Sequence, residues 1–157
     1  MKLTIAVLSF LILSGISCVQ AETSKRPPET SGAVTRKLLI NPSSTSVALG
    51  GKASLIVSPL AHGNGNYVGD YHLKVRPYSF KSEKGSLVLA ATDDSIRKLR
   101  AGTAINFTGK AVTYKDGRIH TVLGRATPSS AERGSVTFSI VTDDVELVFN
   151  TSYHFET

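Results

Sequence analysis

Residues 34–157 alternate hydrophobic and polar positions in short runs that are separated by turn residues. The runs are rich in Val, Ile, Leu, Thr, Phe and Tyr, and they recur at the roughly 8–12 residue spacing that is typical of an all-β domain. In the segment 67–76, for example, Tyr71, Leu73 and Val75 fall on one face and charged residues on the other. The pattern predicts one antiparallel β domain.

The clearest hairpin covers residues 104–127. Its Asp116-Gly117 pair is the sequence favoured at the centre of a two-residue type I′ turn. This turn predicts a register in which Gly109 lies directly opposite Gly124. A cross-strand pair without side chains indicates a bend in the strand or the close approach of another backbone.

A second hairpin covers residues 135–156 and turns at Asp143-Asp144. Its hydrophobic and polar positions alternate without interruption, so one face is expected to be buried and the other to be wet. The turn position predicts a register that pairs Ile140 with Leu147.

Residues 93–102 interrupt the β pattern with Asp at the start, basic residues at the end and then Gly, which predicts one short helix near 94–100. About eight or nine strands remain. Closure into a single antiparallel barrel would remove exposed edges, and a two-sheet sandwich fits the same pattern. The stretch 41–58 resembles the opening strands of bacterial immunoglobulin-like domains, a resemblance that implies the sandwich.

Residues 1–21 have the features of an export signal: Lys2, a hydrophobic run and then small residues. The hydrophobic run is shorter than the ~20 residues that a membrane-spanning helix needs. Cleavage after Ala21 would remove the only cysteine, Cys18. In the alternative, the residues before Cys18 partly resemble a bacterial lipoprotein signal, and Cys18 is lipidated. Residues 22–33 are polar and predict a flexible leader, so the sequence predicts an exported protein that is periplasmic or extracellular.

The net positive charge of the chain favours anionic partners. The chain has 18 Lys and Arg against 12 Asp and Glu, and loss of Lys2 with the signal would leave an excess of five positive charges. Such an excess suits an anionic polymer or a glycan. The candidate ligand-binding residues lie in the densest mixture of basic and aromatic residues: Lys74, Arg76, Tyr78, Phe80 and Lys81. Binding of nucleic acid is not predicted.

A small hydrophobic ligand is a further candidate. Small residues at Gly109, Ala111, Gly124 and Ala126 share the inner face of the predicted hairpin, and in a closed barrel they would leave space for a ligand.

Catalytic motifs are missing from the sequence. It has no Gly-x-Ser-x-Gly elbow, no phosphate-binding loop and no dinucleotide fingerprint, so we expect neither an enzyme nor a cofactor. The four histidines, His62, His72, His120 and His154, are not spaced as metal ligands. We expect no metal site and ordinary surface histidines.

These patterns predict an exported, non-enzymatic β-domain protein with a binding or structural role in the cell envelope or outside the cell. One alternative is an integral outer-membrane β-barrel, because Tyr153 and Phe155 resemble the alternating final strand of such barrels. The other is an envelope lipoprotein anchored through Cys18 that carries the same domain. Contact with a membrane is predicted only through that lipid anchor.

Overall fold

The computed structural model describes residues 36–142 and 145–156. The predicted signal (1–21) with Cys18, the predicted leader (22–33) and the turn residues Asp143 and Asp144 lie outside the described residues.

Ten strands and one α-helix follow one another along the described chain. The strands are β1 (Lys37–Ile40), β2 (Ser43–Val47), β3 (Gly51–Val57), β4 (Leu60–Gly63), β5 (Asn66–Arg76), β6 (Glu83–Ala90), β7 (Ile105–Thr113), β8 (Ile119–Pro128), β9 (Arg133–Val141) and β10 (Glu146–Glu156). The helix α1 (Asp93–Arg100) lies between β6 and β7, and single 3₁₀ turns lie at Ala48–Gly50 and Ser79–Lys81.

Eight of the strands form a closed antiparallel barrel, in the order β1-β4-β5-β6-β7-β8-β9-β10 with β10 paired back to β1. The other two, β2 and β3, form a hairpin, and β3 pairs with the second half of β5. Pro42 separates β1 from β2, and Pro59 separates β3 from β4, because proline cannot donate to a ladder. The all-β prediction is confirmed with the barrel as its form, and the sandwich alternative is wrong.

The barrel interior is filled with hydrophobic side chains. Its largest fully buried side chains are Tyr67, Phe149, Leu60, Ile140 and Val122. Helix α1 covers one end, where Leu99 is 4 % exposed. Beneath the helix a cavity of about 30 Å³ remains, lined by apolar residues. A space of this size holds roughly one or two waters, so the described residues do not enclose the ligand-sized interior space that the sequence predicted.

The register of the β7–β8 hairpin corrects the sequence prediction. Gly124 lies opposite Phe107, and Gly109 lies opposite Val122, so the predicted Gly109–Gly124 pair is wrong. A Cβ placed on Gly124 would lie 2.2 Å from Phe107 Cζ, so the phenyl ring occupies the space beside the glycine. The error of register is two residues, which keeps every side chain on its predicted face.

The turn itself explains this shift. It contains four residues, 114–117, and the N–H of Thr113 donates to the carbonyl of Arg118. The Asp116 carboxylate accepts hydrogen bonds from the Thr113 hydroxyl and the Arg118 N–H, and only Gly117 has a positive φ, 69°. A type I′ turn needs positive φ at both central residues, and the Asp116 side chain instead stabilises the longer turn.

Other local predictions are confirmed. Ile140 pairs with Leu147 in the second hairpin. Helix α1 covers the predicted segment, and the Thr92 hydroxyl caps it by accepting from the Ser95 N–H. A Cβ on Gly109 would lie 2.5 Å from the Val88 carbonyl oxygen of β6, although the Gly109–Gly124 pair from which a bend or a close approach was predicted does not form.

Candidate anion-binding site

Basic side chains collect on the outer surface of β3, β5 and β6. Strand pairing places Lys52 opposite Arg76 and His72 opposite Lys84, while Lys74 lies between Arg76 and His72 on β5. These residues alternate with buried residues along their strands, so their side chains point away from the core. We call these five residues the basic face.

The four Lys and Arg side chains of the basic face lack a carboxylate partner. Within the residues that the structure describes, none of them lies at ion-pair distance from Asp or Glu. Like charges directly opposite each other in a sheet are destabilising, as at Lys52 and Arg76. The arrangement therefore costs stability in the free protein, and an anionic ligand would offset that cost.

The positive charges of the basic face affect the pKa of His72. The pKa of His72 is lowered from 6.5, first by its partial burial and then by the charges of Lys84 and Lys74. Repulsion from two lysines favours the neutral imidazole. A bound anion would act in the opposite direction.

The structure separates the five sequence-predicted ligand-binding residues into two groups. Lys74 and Arg76 belong to the basic face, whereas Tyr78, Phe80 and Lys81 follow in the β5–β6 connection. Tyr78 packs partly against the core. Phe80 is 77 % exposed and meets the Tyr78 ring edge-on, with the ring centroids 6.1 Å apart.

Sequence analysis missed Lys52 as a member of the site. Lys52 and Arg76 are 24 positions apart in the chain, and only the β3–β5 pairing brings them together. The local signal was present, because Lys52, Ser54 and Ile56 alternate with the apolar Ala53 and Leu55. This alternation places Lys52 on an outer face, but it does not show which strand lies beside β3.

A second polar group lies inside the barrel, and it corrects the prediction of surface histidines. His120 is 3 % exposed, and its Nε2 lies 2.9 Å from Glu83 Oε2, while Arg118 lies 3.2 Å from the other Glu83 oxygen. Nearby, the buried Tyr71 hydroxyl has no hydrogen-bond partner among the described residues, and burial raises the pKa of Tyr71 to about 12. The inward position of His120 follows from alternation along β8, since Gly124, four positions later, was predicted to lie on the inner face.

Side chains in the described part of the chain do not form a group of three or more His, Cys, Asp or Glu that could hold a metal ion. In residues 36–142 and 145–156 no helix is long and apolar enough to cross a membrane.

Comparison of the chain with protein-family models, curated proteins and solved structures finds no match. The class of protein is therefore defined by its own fold and surface: a small closed β-barrel with a basic outer face.

Proposed function

We propose that this chain is an exported, non-enzymatic binding protein that acts in the cell envelope or outside the cell. Its basic face binds an anionic partner that carries phosphate or similar groups. The observation that carries the proposal is the set of four Lys and Arg side chains that lie together with no carboxylate at ion-pair distance among the described residues.

The geometry of the basic face suits a partner with several charges. Directly opposed residues have Cβ atoms about 5 Å apart, and alternate residues along one strand are roughly 7 Å apart. Several basic side chains can therefore contact neighbouring anionic groups at the same time. Because the charges are exposed, the attraction will be screened by salt.

The distribution of charge supports this proposal over the integral outer-membrane barrel. Lys110 and Arg125 project outward from the middle parts of β7 and β8. A lysine or arginine on the lipid face of a barrel costs ~2–4 kcal/mol at the centre of the bilayer. The lipoprotein alternative keeps the same domain and the same basic face, and differs only at Cys18.

The proposal is tested by calorimetric titration of the mature protein with long-chain polyphosphate at low salt. Each basic residue near an anionic surface contributes about 1 kcal/mol, so the double variant Lys74→Gln/Arg76→Gln should bind about tenfold more weakly or worse. The matched control is Arg125→Gln/Arg133→Gln, which removes the same charge from β8 and β9. Strand β9 lies four strands from β5 around the ring.

Binding that is lost in the basic-face variant and kept in the control would support the proposal. Equal losses in both variants would show that net charge alone attracts the polymer. Either that result or a complete absence of binding by the unaltered protein would contradict a specific anion-binding face.

A further inference from the structure

Two large hydrophobic side chains project into solvent from neighbouring connections of the barrel. Leu49 lies in the β2–β3 turn and is 88 % exposed, and Phe80 lies in the β5–β6 connection and is 77 % exposed. These are the most exposed large hydrophobic residues that the structure describes. Neither one contributes to the core.

The two connections lie side by side. A Cβ placed on Gly51, two residues after Leu49, would lie 3.0 Å from the Arg76 carbonyl oxygen and 3.4 Å from Tyr78 Cε2. The Tyr78 ring in turn contacts the ring of Phe80. Leu49 and Phe80 therefore lie on adjacent connections at the same end of the paired strands β3 and β5, and we call this pair of residues the apolar tip.

The backbone at Leu49 adds a second argument. Leu49 has φ 61° and ψ 33°, which is the left-handed region that glycine and asparagine favour and that branched side chains rarely adopt. Core packing does not explain a leucine at an 88 % exposed position, and local conformation disfavours it. A role in contact with a partner accounts for both observations.

Positive charge adjoins the apolar tip. Lys52 lies three residues after Leu49, and Arg76 lies four residues before Phe80, directly opposite Lys52. Both belong to the basic face, which continues from the tip along β5 and β6 to His72 and Lys84. A hydrophobic tip with adjoining lysine and arginine is complementary to the surface of an anionic bilayer, where phosphates lie directly above hydrocarbon.

We propose that the barrel binds peripherally to an anionic lipid surface through the apolar tip. Leu49 and Phe80 enter the headgroup region, and Lys52 and Arg76 contact lipid phosphates. This inference rests on the proposed function, because it names a lipid surface as the anionic partner of the basic face. It requires neither insertion of the barrel nor an acyl chain on Cys18.

The connection between β9 and β10 is not part of the proposed contact. The ring order places β9 four strands away from β5. The side of the barrel that carries the β2–β3 and β5–β6 connections therefore faces the bilayer.

The chain contains no tryptophan, which makes a direct test simple. Phe80→Trp and Leu49→Trp each introduce one fluorophore into the chain from Glu22 onward, which contains the whole barrel and lacks Cys18. Each is mixed with vesicles of phosphatidylcholine alone or of phosphatidylcholine with phosphatidylglycerol. We expect a blue shift of the emission with the anionic vesicles only, because the indole leaves water.

Val68→Trp is the matched control, since Val68 is 46 % exposed at the opposite end of β5. Its emission should not shift. An unshifted spectrum for both tip variants, or an equal shift for the control, would overturn the inference.

A second measurement separates this inference from the proposed function. In vesicle flotation, the double variant Leu49→Ser/Phe80→Ser should lose tenfold or more of its binding, because two hydrophobic side chains no longer leave water. Its binding to polyphosphate should stay unchanged. Unchanged flotation of this variant would reject the lipid contact while the anion-binding proposal stands, and failure with both ligands in the unaltered protein would reject both.

Discussion

At the scale of single residues, His72 reports the charge of the basic face most directly. Its imidazole lies opposite Lys84 and two positions from Lys74 on the same strand. The pKa of His72 lies below 6.5 because burial and these two lysines disfavour the charged form. The folded state therefore binds a proton at His72 less readily than the unfolded state does. The contribution of His72 to the free energy of unfolding falls as the pH drops through about 6.5.

A titration of the His72 ring protons by NMR should therefore show a midpoint below 6.5. Lys84→Gln removes one repelling charge and should raise the pKa of His72. Saturating polyphosphate should raise it as well, because an adjacent anion favours the imidazolium. Lys98→Gln, on helix α1, serves as the control and should leave the midpoint in place. If neither Lys84→Gln nor the anion changes the pKa of His72, the charges of the basic face do not act on His72, and the prediction is contradicted.

At the scale of strands and turns, local sequence signals predicted the structure correctly where contacts between residues close in the sequence determine it. The β9–β10 register, the end of β5 before Pro77 and the position of α1 all follow from alternation, proline and capping. The β7–β8 register was wrong because the Asp116 side chain selects a four-residue turn. The pairing of β3 with β5 involves distant parts of the chain, so no local pattern contains it.

The glycines of the barrel strands differ in their roles, and two of them make a matched pair. A Cβ on Gly85 of β6 would lie 2.0 Å from the Val112 carbonyl oxygen of β7. Backbone cannot move aside as a side chain can, so Gly85→Ala should lower the free energy of unfolding by about 1–3 kcal/mol.

Gly63→Ala is the control, because nothing lies within 4 Å of a Cβ at Gly63 and its φ is not positive. Urea denaturation should show an unchanged or slightly higher midpoint for that variant. Equal destabilisation by the two substitutions would contradict the close approach of β6 and β7 at Gly85.

At the scale of the whole molecule, the barrel has a filled hydrophobic interior and an uneven exterior. The cavity beneath α1 has a volume of about 30 Å³, which is too small for a ligand. We therefore expect ligands to bind at the outer surface. There the basic face and the apolar tip adjoin, and Lys52 and Arg76 connect them. The sequence predicted an all-β domain, as a barrel or a sandwich, and the basic segment at Lys74 and Arg76, but the complete face depends on the pairing of β3 with β5.

The most direct test of the central claim is an amide chemical-shift map of the chain from Glu22 onward during titration with polyphosphate. Binding at the basic face predicts that the largest shifts fall on β3, β5 and β6, at Lys52, His72, Lys74, Arg76 and Lys84. Amides of β8 and β9, on the other side of the ring, should remain in place. Shifts centred on β8 and β9, or spread evenly over the barrel, would contradict the account.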